Sequence, residues 1–117
     1  MSALAVRRLA LVFATAGLLL VGVGLAAATA EHAEPRRHTI AIEGNAFSPD
    51  DLTVDRGDTV VWVNRDFYPH TATDTEGSFD SGTIPANGSW ALTVEASGEL
   101  RYFCALHPTM KATLRVR

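Results

Sequence analysis

Cysteine is almost absent: Cys104 is the only one. No disulfide can form within the chain, so stability must come from an apolar core or from a bound metal. The same scarcity excludes a covalently attached haem, which needs C-x-x-C-H, and a lipid anchor, which needs a cysteine at the cleavage site. Positive charge is short after residue 30. All 13 Asp and Glu fall there, against eight of the 10 Lys and Arg, which leaves that part with a net charge of −5. Nucleic acid is therefore excluded as a partner, and a soluble, mildly acidic protein is expected. Internal repeats, low-complexity tracts and long helical periodicity are lacking as well.

The one long apolar run lies at the start. Arg7 and Arg8 precede an apolar stretch over residues 9–28, and Ala28-Thr29-Ala30 is an A-x-A site. Residues 1–30 read as a secretory signal cleaved after Ala30, which places the rest in the periplasm or another extracytoplasmic compartment. At about 20 residues the stretch is also long enough to span a bilayer. An uncleaved anchor over residues 9–28 is the alternative, and the one route to membrane contact. Residues 31–37 are charged and contain Pro35, a short tether before a single domain over residues 38–117. His32 and His38 read as solvated tether residues rather than ligands.

Beyond the tether the pattern is that of strands. Ile40 and Ile42 alternate over 38–43, and 59–63 is a β-branched and aromatic run. Further short strands are predicted over 52–54, 71–73, 89–94, 99–103 and 111–116. Turn signals separate them: Gly44-Asn45 and Ser48-Pro49 around Phe47, then 55–58, 76–78, 85–88 and Ser97-Gly98. Turns every eight to twelve residues predict an all-β antiparallel sandwich of seven to eight strands. Trp62, Trp90, Phe47 and Tyr102 are expected in its core. Asn87-Gly88-Ser89 matches a glycosylation acceptor, but the Asn-Gly turn explains it without sugar. Asp74, Glu76 and Asp80 are expected in a solvated loop, or as an acidic cluster that steers a basic partner.

The chemistry gathers near the C-terminus. In Cys104-Ala105-Leu106-His107-Pro108-Thr109-Met110 a thiolate, an imidazole and a thioether recur at three-residue intervals. Pro69-His70 follows another strand and supplies a second imidazole. Two His, one Cys and one Met form a soft nitrogen–sulfur set suited to a single copper ion, with the Met as a weak axial ligand. A copper site requires Cys104 as thiolate.

Taken together, Phe47 through Pro49, Leu52-Thr53-Val54, Gly57-Asp58-Thr59-Val60, Trp62-Val63-Asn64, Pro69-His70 and Cys104-x-x-His107-x-x-Met110 resemble the cupredoxins. The short ligand loop resembles most the amicyanin and plastocyanin branch. The resemblance implies a Greek-key β-sandwich with one type 1 copper at one end, held by His70, Cys104, His107 and Met110. It implies one-electron transfer rather than enzymatic catalysis, with redox proteins as donor and acceptor and a monomeric chain. The partners are expected to dock transiently near His107, Pro69, Leu106 and Pro108. Three positions depart from the family. Thr71 stands where Asn often ties the ligand loops, so that contact is expected to be weaker or made differently. Phe103 replaces the Tyr that plastocyanins use in docking, and Leu106 stands where amicyanins often have Pro.

Rival readings are a zinc site, which fits poorly with Met, and a thiol enzyme using Cys104 with His107 as base, for which no third orienting group is evident. Four His and this chain length are too few for a multicopper oxidase or nitrite reductase. The serious alternative is an extracytoplasmic copper carrier or store using the same four ligands.

Overall fold

The computed structural model describes residues 34–117, together with Gly17, Leu19 and residues 21–24. The rest of the predicted signal, its cleavage site and His32 lie outside the described residues. The chain divides into two units, Met1–Glu31 and His32–Arg117. In the first, the few described residues carry no regular secondary structure.

The described residues of the second unit form eight strands: β1 (Arg37–Glu43), β2 (Ala46–Ser48), β3 (Asp51–Val54), β4 (Thr59–Asn64), β5 (Thr73–Asp74), β6 (Ser89–Thr93), β7 (Gly98–Cys104) and β8 (His107–Val116). They form two four-stranded sheets, in the orders β2-β1-β4-β6 and β3-β8-β7-β5. The expected all-β sandwich is what forms, but it is not antiparallel throughout. Its β1–β4 and β3–β8 pairings are parallel, joining strands that are not consecutive in the sequence.

Side-chain alternation explains how the sheets face each other. Ile40 and Ile42 of β1, Val60 and Trp62 of β4, and Tyr102, Ala112, Leu114 and Val116 of β7 and β8 all turn inward and are buried. Trp62 is the hub of an aromatic cluster. Its ring centroid lies 5.5 Å from Tyr102, 5.7 Å from Phe79 and 5.4 Å from Trp90. The expected core aromatics are all present, with Trp90 only partly buried.

Three expectations need correction. Phe47, read as part of a turn, belongs to β2. Gly44 (φ 60°) and Asn45 (φ 57°) form a two-residue hairpin loop of the kind that needs positive φ at both positions, so a strand of three residues follows at once. His38 is no solvated tether residue but sits in β1 with Nε2 2.8 Å from Asp58 Oδ2. Asp74 is buried rather than solvated, accepting hydrogen bonds from the amide and hydroxyl of Ser78.

Candidate metal centre

At one end of the sandwich the β4–β5 connection meets the β7–β8 hairpin. Inward alternation along β7 carries Tyr102 and then Cys104 to the core face, and the Cys104 thiol is fully buried. A two-residue turn, Ala105-Leu106, follows, and Cys104 pairs across it with His107. The next register pair is Phe103 with Lys111, so Pro108, Thr109 and Met110 have no partner residue on β7. This bulge matters for chemistry. His107 and Met110 are an odd number of residues apart, and a regular strand would send them to opposite faces. Met110 joins the buried core cluster, while His107 stays partly exposed.

His70 comes from the other loop and is completely buried. Its backbone is clamped by reciprocal bonds with Ile84, at 3.1 and 2.7 Å. Its Nδ1 lies 3.6 Å from Cys104 Sγ, and His107 Nδ1 lies 3.9 Å from the same sulfur. The ligand atoms of His70, Cys104 and His107 all fall within 4.8 Å of one another. A soft cysteine sulfur and two imidazole nitrogens converging this closely, with a buried thioether three residues beyond His107, are a donor set that fits copper.

The surroundings hold these side chains in place. His70 Nε2 lies 2.7 Å from Asp66 Oδ2. A carboxylate has no proton to give, so Nε2 carries a proton and Nδ1 is the ring nitrogen that faces the sulfur. Asp66 in turn accepts from Gly44 N (2.7 Å) and Asn45 N (3.1 Å) of the β1–β2 turn. Burial pushes the Asp66 carboxyl up, but those two amides and the His70 ring outweigh it and hold it below the ordinary value. Asn64, fully buried at the end of β4, shapes the loop. Its Nδ2 donates to the carbonyls of Tyr68 (2.8 Å) and Ile84 (3.0 Å), and its Oδ1 accepts from Asp66 N.

Of the two expectations for Thr71, a weaker tie between the loops or one made differently, the second is what forms. Its amide donates to Cys104 Sγ at 3.3 Å, and its hydroxyl accepts from Ala105 N at 2.8 Å. A threonine thus bridges both ligand loops by itself.

Around the partly exposed His107, Pro69, Leu106 and Pro108 are all exposed, as the sequence led us to expect. Two aromatics were missed. Tyr68 packs against both imidazoles, its centroid 5.1 Å from His70 and 5.7 Å from His107, and Phe67 beside it is 97% exposed. Their only signal was an aromatic pair in a loop that otherwise read as irregular.

Comparison with known proteins agrees with this geometry. The family described as cupredoxin-like domain matches residues 15–116. Amicyanin from Paracoccus versutus is 28% identical over 82 residues, which cover 66% of this chain and 62% of that protein. Plastocyanin from Scenedesmus fuscus is 31% identical over 84 residues, covering 61% of this chain and 86% of that protein. The solved structure of a methionine-to-alanine mutant of amicyanin in its Cu(I) form superposes with a TM-score of 0.66 at 26% identity, over 69% of this chain and 82% of that one. A Cu-containing nitrite reductase from Thermus scotoductus gives the same TM-score at 28% identity, but the match covers only 22% of its chain.

Proposed function

Since the chain belongs to the cupredoxin-like domain family, we propose that it is an extracytoplasmic electron carrier binding one copper through His70, Cys104, His107 and Met110. The observation that carries this reading is the convergence of Cys104 Sγ with two imidazole nitrogens at 3.6 and 3.9 Å. Bound copper supplies a one-electron couple between Cu(I) and Cu(II). The protein's part is to keep the ligand positions alike in both states. His70 is fixed by Asp66, Cys104 by the Thr71 amide, and the hairpin by the Thr71 hydroxyl.

His107 is the ligand nearest solvent, and we assign it as the electron port. Pro69, Leu106, Pro108, Tyr68 and Phe67 offer an apolar rim to a redox partner that binds weakly and leaves quickly. The amicyanin and plastocyanin likeness supports protein partners of this kind. A copper carrier would instead surrender its metal, and the buried His70 and Cys104 speak against easy release.

Repeated reduction and reoxidation of the copper-loaded chain with a competing chelator present separates the two. Retention of the metal through many cycles is expected. Loss of copper to the chelator within the first reduction would make the chain a copper carrier.

A further inference from the structure

The acidic cluster read from the sequence does not behave as one group. Asp74 is buried and used by Ser78. Asp80 is exposed, yet its Oδ1 accepts from Thr73 Oγ1 at 3.2 Å and from Gly82 N at 2.9 Å. Thr73 Oγ1 lies 2.9 Å from Thr71 Oγ1, which accepts from Ala105 N at 2.8 Å. Four residues therefore form one line of hydrogen bonds from the surface to the hairpin that carries Cys104 and His107.

The direction of this line follows from proton counting. A carboxylate only accepts, and a hydroxyl has one proton to donate. Thr73 gives its proton to Asp80, so it must accept from Thr71. Thr71 gives its proton to Thr73, so its lone pairs are free to face the Ala105 amide. Each bond polarises the next, and the last link is strengthened by the charge at the far end. The loop bearing Asp80 is itself pinned to the His70 segment. Ser81 N donates to Ala72 O at 2.9 Å, and Ala72 N donates to Ser81 Oγ at 2.8 Å.

We propose that Asp80 is a positioning residue for the Cys104–His107 hairpin, acting through the hydroxyls of Thr73 and Thr71 on the amide of Ala105. Its carboxylate holds the two hydroxyls in one orientation, and that orientation fixes the peptide following Cys104 while the Thr71 amide holds the sulfur. The relevance to copper rests on the function proposed above; the positioning itself does not.

Amide hydrogen exchange at Ala105 in the full, metal-free chain tests it. Asp80→Ala removes the acceptor that orients the line, Thr73→Val cuts the line without touching charge, and Thr73→Ser keeps the hydroxyl. Exchange at Ala105 should quicken about fivefold in each of the first two, the scale of one lost hydrogen bond. The double variant should be no faster than either single one, and Thr73→Ser should match the parent. The Trp62 amide in central β4 reports whether overall stability has changed, and it should stay as in the parent. Unchanged exchange at Ala105 in Asp80→Ala would overturn the proposal, as would effects that multiply in the double variant. With copper added, a parent chain lacking any Cu–thiolate absorption would defeat the copper reading alone, and the exchange result would stand independently of it.

Discussion

His70 has one ring nitrogen free for a metal because the other is engaged. Asp66 receives three donors on two oxygens: Gly44 N on Oδ1, and Asn45 N with His70 Nε2 on Oδ2. In Asp66→Asn the amide nitrogen accepts nothing, so at least one donor is orphaned in a nearly closed site. Copper affinity should fall about 10–100-fold, the usual scale for losing such a partner, as measured by chelator competition. At the opposite pole Asp58 accepts from Arg36 N, His38 Nε2 and Asp55 N. The Arg36 amide first, then the His38 ring and the Asp55 amide, lower its carboxyl from 3.8 to about 2. A lowered folded-state value contributes stability above the unfolded one and loses it as pH falls through the folded one. Urea midpoints of the parent should therefore drop between pH 3.8 and about 2. Asp58→Asn should start lower at neutral pH and show a shallower fall over that window.

Among the elements, the β7–β8 hairpin does most for the site. Its bulge breaks the strict alternation between His107 and Met110, so that Met110 turns into the core, and below it the regular alternation of Ala112, Leu114 and Val116 anchors β8 there. Deleting Thr109 should leave far-UV circular dichroism and a cooperative melt intact but shift the Cu–thiolate absorption by displacing Met110, the weak axial ligand. Leu114→Ala, by contrast, should cost about 2–5 kcal/mol in denaturant titration, because it opens a cavity between the sheets. The sequence made much of this architecture legible. β1 shows alternating Ile40 and Ile42, β4 is a run of β-branched and aromatic residues, and the four candidate ligands are marked by residue type and spacing. The bulge is invisible there, since it exists only as a mismatch between two strands. β2 was lost because three residues around Phe47 are outnumbered by turn formers. Asp66 was passed over, and Asp80 was read only as part of an acidic cluster, because short polar side chains in loops ordinarily serve the local turn, and here they reach across it.

On the scale of the whole molecule, the two ends of the sandwich differ. Among the described residues of the folded unit, the large exposed apolar side chains are Phe67, Tyr68 and Leu106, all in the two loops that carry the ligands. Acidic groups such as Asp51, Asp55 and Glu99 are tied into ion pairs with Arg115, Arg36 and Arg117 along the strands and at the far pole. An apolar end with a partly exposed imidazole suits brief docking better than tight assembly. Leu106→Lys and Phe67→Asp should each slow electron exchange with the physiological partner while leaving the copper spectrum unchanged. Equal rates in stopped-flow mixing would remove the rim from the docking face.

The central claim is that Cys104, with His70 and His107, holds a single redox-active copper. Its most direct test is the visible spectrum of the chain titrated with Cu(II), then reduced and reoxidised, beside Cys104→Ala. The account predicts an intense Cu–thiolate band that saturates at one copper per chain, bleaches and returns reversibly, and is absent from the variant. Copper binding without that band, or a band that survives Cys104→Ala, would contradict it.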